Sequence, residues 1–411
     1  MLVSDAAKDL MPEDPPARLA VSERRGPLPQ SLLCVASFPA NTGYAWTFIE
    51  RLYASIADAL AERGVRTWVA YPSIPTPPRS LARSAAIPVE LDFRLSGRAF
   101  RTLIRFIRAR NVRALYVPDH AGWHPAFCAL RLAGVRKIIV HDHTSGQRAV
   151  PRGFKRLAKG AARRLPGALA DQIIAVSDYV ARRKIETELL PPARVMRSWN
   201  TVPIPEPDPT ARGRLRREFG LPDEQAVVFC GCRAVEEKGV LHLLRAFDAL
   251  VRDLPAHAQQ VSLVYAGDGP AMDQLRALWR ELPSRDRIIL AGYRDDAADL
   301  AGGADVCVVP SLWQEAFGLA ALEPMARGVP VIASRVGGLP EVVRDGETGL
   351  LVTPGDEAEL AGAMRRLLLD PAERKRLGAN GRRRAVAHFS PDAQLRELLP
   401  VFEDAFGVVA D

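Results

Sequence analysis

Two carboxylates, Glu315 and Glu323, stand eight residues apart in PSLWQEAFGLAALEPMARGVPVIAS (310–334). The pattern reads as a strand ending at Ser311, a loop carrying Glu315, and a helix beginning near Phe317 with Gly318 in its first turn. Glu323 then shares a helical face with Leu319, Leu322 and Met325, where a carboxylate is costly to bury unless something pairs with it. Ribose hydroxyls would supply that pairing. Glu315, at the helix mouth, would take hydroxyls from another part of the ligand, and the helix N-terminus would receive phosphate. An acid near a helix start followed by a solvated helical acid fits the same spacing.

A second constellation is GCRAVEEKGV (231–240), where Arg233 follows a strand and Lys238 precedes a helix. Two cations on such a loop suit a diphosphate leaving group, although two plain surface cations would read alike. Lys238 is one of two lysines after residue 205, in a chain where 49 of 56 basic residues are Arg.

The elements that must position these groups form two similar series. In the first, SLLCVASF (31–38), VRTWVAYP (65–72), ALYVP (114–118), KIIVH (137–141) and QIIAVS (172–177) read as strands separated by helical patterns. A helix is expected over 46–63, with Ile49, Leu52, Tyr53, Ile56 and Leu60 on one face and Gly64 as its stop. The second series is AVVFCGC (226–232), VSLVYAG (261–267), RIILAGY (287–293), DVCVVPS (305–311), VPVIAS (329–334) and GLLVTP (349–354). Between the two lies TVPIPEPDPT (201–210), whose alternate prolines demand an extended connector. The expectation is an α/β chain of two doubly wound, Rossmann-like domains, 31–200 and 211–389, joined by that linker and facing each other across a cleft. A helical segment within 390–411 would pack back on the first domain. Residues 1–30, with five prolines and mixed charge, would be a disordered extension.

Composition narrows the classes. The chain has 411 residues, 48% hydrophobic and 25% charged, as expected of a globular protein rather than a fibrous or disulfide-stapled one. No stretch approaches the ~18 continuous apolar residues of a membrane span, and no secretory h-region opens the sequence. Five cysteines without CxxC spacing fit a reducing, cytoplasmic compartment. Neither half holds a G-x-G-x-x-G turn, which argues against a dinucleotide oxidoreductase. No His-x-Glu or Asp-x-Asp pair stands at a strand end, so neither a metal nor a resident cofactor is expected.

Taken together, Glu315 and Glu323 in E-x7-E spacing, GCRAVEEKG, YAGDGP (265–270), SRVGGLPEVVRDGETGLLVTPGD (334–356), IIAVSDYV (173–180) and SWNTVPI (198–204) resemble the retaining glycosyltransferases of family 4, with the GT-B fold. The resemblance runs from about residue 31 to 408. It implies a nucleotide-sugar donor, UDP-, GDP- or ADP-linked, and an acceptor hydroxyl on a sugar or lipid-linked carrier, in cell-surface polysaccharide or glycolipid synthesis. It makes Arg233 and Lys238 diphosphate ligands, gives Glu323 the ribose and Glu315 the donor sugar, and brings backbone at Phe317, Gly318 and Leu319 to sugar and phosphate. Gly267 would lie near the phosphates, Arg294 near the base, and Gly43 in an N-terminal loop that approaches the phosphates. That loop, PANTGYAW, has one glycine where the family often has two, and Val65 stands where a histidine is usual. A first-domain histidine near the transferred sugar is either His141 or His143, in IIVHDHTSG; His120, His124, Asp119 and Trp123 are further candidates on the acceptor side. Transfer would be metal-independent, without a covalent enzyme intermediate. A GT-B sugar-nucleotide epimerase or hydrolase, or a non-catalytic nucleotide-sugar binder, would share the donor residues.

Charge is segregated. Residues 1–205 hold 31 basic and 16 acidic side chains, and residues 206–411 hold 25 and 32. Two basic segments stand out, 94–113 with Arg94, Arg98, Arg101, Arg105 and Arg108 on one helical face, and 148–167 with seven cations and no acid. Without an aromatic stacking platform nucleic acid is not the expected partner. An anionic membrane surface suits cations beside exposed apolar groups, and a solvated face is the plain alternative.

Overall fold

The computed structural model describes residues 28–255 and 260–408, with the side chains of residues 44 and 45 left aside. The expected extension lies, up to residue 27, outside the described residues.

The first sheet comprises β1 (Ser31–Val35), β2 (Arg66–Tyr71), β3 (Ile87–Glu90), β4 (Val112–Pro118), β5 (Lys137–Asp142), β6 (Gln172–Ala175) and β7 (Val195–Arg197). The second comprises β8 (Ala226–Gly231), β9 (Val261–Ala266), β10 (Ile288–Gly292), β11 (Val306–Val309), β12 (Val331–Ser334) and β13 (Gly349–Val352). Their orders are β3-β2-β1-β4-β5-β6-β7 and β10-β9-β8-β11-β12-β13. Every pairing is parallel. Each sheet therefore reverses its winding once, between β1 and β4 and between β8 and β11, and a crevice opens at those points beyond the strand C-termini.

Alternation along the strands explains the layers. Leu32, Cys34, Ala114 and Tyr116 face one core of the first domain, while Leu33, Val35, Leu115 and Val117 face the other. Residues buried on both faces make the strands read as unbroken apolar runs. β8 is divided likewise, Val227 and Phe229 to one side, Val228 and Cys230 to the other. All five cysteines are free.

The chain crosses between domains twice. The proline run 201–210 carries no helix or strand up to Asp208. The return follows the helix Pro371–His388, after which Ser390 caps the helix Pro391–Phe406 through the Ala393 amide. That last helix buries Leu398, Phe402 and Phe406 in the first domain's core, with the Phe402 ring 5.0 Å from Tyr116. Loops also join the domains. Ser177 Oγ donates to the Ala316 carbonyl at 2.6 Å, and the Gly146 amide donates to the Gln314 carbonyl at 2.7 Å. Glu341 accepts from the Asp178 and Tyr179 amides at 2.8 and 2.9 Å, so the second domain caps a helix of the first.

Candidate active site

Because β8 and β11 are neighbours whose connections leave in opposite directions, the loops after them meet over the crevice. The β8 loop carries Arg233 and Lys238, and the β11 loop carries Glu315. Lys238 Nζ lies 2.5 Å from Glu315 Oε1, and Ser311 Oγ donates to the same oxygen at 2.6 Å. Arg233 is exposed, and its side chain has no partner among the described residues.

The helix after Glu315 runs Leu319–Ala326, with Gly318 as N-cap at φ 120°. It therefore starts two residues later than Phe317, and Gly318 precedes the first turn rather than lying in it. The reason is local. Phe317 turns its ring into the core against Phe389, 5.7 Å away, and the left-handed backbone needed to enter the helix falls on glycine. The first amides of this helix have no intrahelical acceptor and suit an anion.

Glu323 sits one helical turn in. It lines a small pocket with Phe229, Gly231, Ala297, Cys307 and Ala320, beneath the switch point. Its Oε1 is buried without a hydrogen-bond partner, and burial pushes its carboxyl up to about 7 against the opposing effect of Arg327. Such an orphan is expensive and awaits donors. Gly267 closes the same crevice: a Cβ there would come 1.9 Å from the Cys232 carbonyl. Arg294 is held by both carboxylate oxygens of Asp296 at 2.7 Å and by Glu218 at 2.5 Å, and is thus engaged with acids at the β10 end.

Across the cleft, Gly43 at φ 64° precedes the helix Tyr44–Ala61. Phe48 of that helix lies edge-on to His143, with ring centroids 6.1 Å apart. The two histidines differ. His141 is 1% exposed, its Nδ1 is 2.5 Å from the Tyr116 hydroxyl, and burial holds its pKa well below the ordinary value. His143 is half-buried on the loop two residues before Ser145, whose hydroxyl accepts from the Ala316 amide at 3.2 Å. Asp119, itself in the left-handed region at φ 56°, accepts from the His143 amide at 2.7 Å through its carboxylate. His120 and His124 lie side by side, rings 5.6 Å apart, on the loop after Asp119. Trp123 lies under the Arg163 guanidinium at 5.1 Å.

Two features went unread in the sequence. Asp142 is buried with Arg183 Nη2 at 3.1 Å and Lys184 Nζ at 3.3 Å; although burial opposes it, these cations hold its carboxyl below the usual range. Lys184 also meets Glu188 at 2.7 Å, so this network fixes the loop that carries His143. Trp313 packs on Gly146, where a Cβ would fall 2.5 Å from the ring, so only glycine permits the two domains to touch there. Charged residues of a helix such as 178–188 read as solvated, and only the pairing across 41 positions shows otherwise.

Two parallel-sheet, Rossmann-like domains with a crevice between them define the GT-B architecture. Residues 211–384 match the family Glycosyl transferases group 1, and residues 49–203 match Glycosyltransferase Family 4. A GDP-mannose-dependent α-(1-6)-phosphatidylinositol monomannoside mannosyltransferase of Mycolicibacterium smegmatis is 33% identical over 284 residues, 66% of this chain and 71% of that one. An MMP α-(1→4)-mannosyltransferase of Mycolicibacterium hassiacum is 35% identical over 261 residues, 63% of this chain and 59% of that one. The matched stretches span from about half to seven tenths of the length of the curated relatives. A glycosyltransferase from Rickettsia africae superimposes with TM-score 0.75 at 20% identity, covering 92% of this chain and 99% of that one. Anabaena HepE in complex with UDP gives 0.74 at 20% identity, covering 91% and 100%. The chain belongs to glycosyltransferase family 4.

Proposed function

We propose that this chain is a retaining, metal-independent glycosyltransferase that moves a sugar from a UDP-, GDP- or ADP-sugar to an acceptor hydroxyl. Its acceptor is a sugar or lipid-linked carrier used in cell-surface polysaccharide or glycolipid synthesis, on the cytoplasmic side of a membrane. One observation carries the reading: the buried, unpartnered Oε1 of Glu323 lines a pocket with Gly231, the last residue of β8 and two before Arg233, and suits a ribose diol whose diphosphate would reach the loop carrying Arg233 and Lys238. Two named relatives are mannosyltransferases, one GDP-mannose-dependent, and a structural neighbour was crystallised with UDP.

In this reading Arg233, Lys238 and the amides of Gly318 and Leu319 stabilise the negative charge that builds on the departing diphosphate. Glu315 orients donor-sugar hydroxyls, His143 faces the transferred sugar, and the Gly43 loop closes over the phosphates. The acceptor hydroxyl attacks the face from which the diphosphate leaves. Contact between the 145–146 and 313–316 loops excludes water from the reacting carbon.

The test is a thermal-shift screen of UDP-, GDP- and ADP-sugars on the full chain and on Glu323→Gln, since a bound donor raises the melting temperature. A rise with one nucleotide in the native chain, much reduced in the variant, is expected. Transfer that survives excess chelator, and product with the donor's anomeric configuration, complete it. Donor breakdown at full rate without an acceptor would instead favour a hydrolase or epimerase.

A further inference from the structure

The basic helix Gly97–Ala109 keeps Arg98, Arg101, Arg105 and Arg108 exposed, but its apolar residues Leu103 and Ile107 are buried and Phe100, Ile104 and Phe106 pack on the same core. Nothing apolar is left on it to enter a membrane. The second basic segment is built the other way round. In the helix Gly153–Ala162 no residue is buried. Phe154 is 82% and Leu157 72% exposed, one turn apart, and Leu132, Val150 and Leu165 are exposed as well.

What ties this helix to the domain is its cations. Lys159 Nζ donates to the Thr187 carbonyl and Arg163 Nε to the Glu188 carbonyl, each at 2.7 Å. The usual arrangement, apolar side in and charge out, is thus inverted. Beside it opens a pocket of about 380 Å³ lined by Arg131, Arg163, Arg164, Arg194 and Asp171. Asp171 is already paired with Arg131 at 2.9 Å, so the pocket is receptive to an anion.

Seven cations without an acid would repel a second copy of the same face. A surface with negative phosphates above an apolar layer satisfies both halves of the patch. We propose that residues 148–167 dock the chain on an anionic bilayer, with Phe154 and Leu157 below the headgroups, Arg152, Lys155 and Arg156 on lipid phosphates, and one headgroup phosphate in the arginine pocket. The segment starts just beyond Gly146, whose amide contacts Gln314, so the bilayer would lie at the mouth of the cleft. Docking stands on this surface alone and is independent of whether the site transfers sugar.

Sedimentation of the full chain with vesicles of phosphatidylcholine, alone or mixed with phosphatidylglycerol, tests it without any sugar nucleotide. Binding to the anionic vesicles only is expected, weakened by salt. Phe154→Ser with Leu157→Ser should lower partitioning by about tenfold or more at an unchanged melting temperature, and Lys155→Glu with Arg156→Glu should do likewise. Arg101→Glu with Arg105→Glu, on the other basic helix, should do much less. Equal binding to neutral vesicles, no binding to either, or a dimer in light scattering that the Phe154/Leu157 variant dissolves would overturn the proposal. So would retention of an acidic protein in place of lipid.

Discussion

Lys238 Nζ and Glu315 Oε1 lie 2.5 Å apart, so the cation proposed for the donor's diphosphate and the acid proposed for its sugar are paired with one another. On that proposal, donor binding exchanges this pair for two new ones. Lys238→Ala and Arg233→Ala are each expected to slow transfer by about 10²-fold, as loss of a prepositioned charge does. Glu315→Gln should lose transfer comparably yet bind free nucleoside diphosphate at least as well as the native chain, because Lys238 is released. Calorimetry decides it; equal loss of diphosphate affinity in Glu315→Gln and Lys238→Ala would contradict the exchange.

Glu323 provides a pH signature. Its carboxyl is raised by burial to about 7, above its ordinary value, so the folded chain holds a proton that the unfolded chain has given up. That contribution to stability is complete below the unfolded pKa and is lost as pH rises through about 7. Glu323→Gln, neutral throughout, should therefore melt higher than the native chain above that pH and converge with it in acid. Ribose hydroxyls favour the ionised form, so native nucleotide affinity should rise with pH across the same window while that of Glu323→Gln stays flat.

His141 and His143 should separate cleanly. His141→Ala leaves the buried Tyr116 hydroxyl without its partner and should cost about 1–3 kcal/mol of stability. His143→Ala should melt near the native temperature and lose turnover. Thermal denaturation beside steady-state kinetics of the two variants makes the comparison; the reverse pattern would transfer the sugar-facing role to His141.

At Gly146, φ is 97° and a Cβ would fall 2.5 Å from the Trp313 ring. Gly146→Ala is expected to hold the two domains apart, with a larger radius of gyration in small-angle scattering and transfer reduced by about tenfold or more through misplaced groups. Each domain should keep its own fold.

Arg216 is fully buried, with Nη2 2.7 Å from Asp305 Oδ2 and further bonds to the Gln225 and Gly303 carbonyls. Arg216→Ala takes one cation from the buried Asp305, which keeps Arg212 and the Val227 amide, and should cost about 3 kcal/mol in denaturant unfolding.

Central strands were legible because they are apolar on both faces: KIIVH and AVVFCGC lie within a residue of β5 and β8. β3 and β7 were not, since IPVE carries a proline and an acid and VMR has three residues, and both lie at sheet edges where pairing comes from one neighbour. The loops that carry Arg233, Lys238 and Glu315 could be placed from local spacing, as each follows its own strand. Asp142 with Arg183 and Lys184, and Trp313 against Gly146, depend on contacts between distant segments, and no periodicity announces them. Of the basic face expected at 94–113, Arg98, Arg101, Arg105 and Arg108 lie on the helix, Arg94 precedes it and pairs with Asp92, and the apolar residues serve the core.

Phe402 rests on Tyr116, and Tyr116 holds His141, so residues 391–406 are a structural part of the domain they follow last in sequence. An exchange of donor domains between relatives by a single crossover in the proline run would deliver a foreign last helix to the native first domain. Viable chimeras need two crossovers, the second near Phe389. The sequence of the C-terminal helix should accordingly change in step with the acceptor-side half, whatever nucleotide the other half has come to bind.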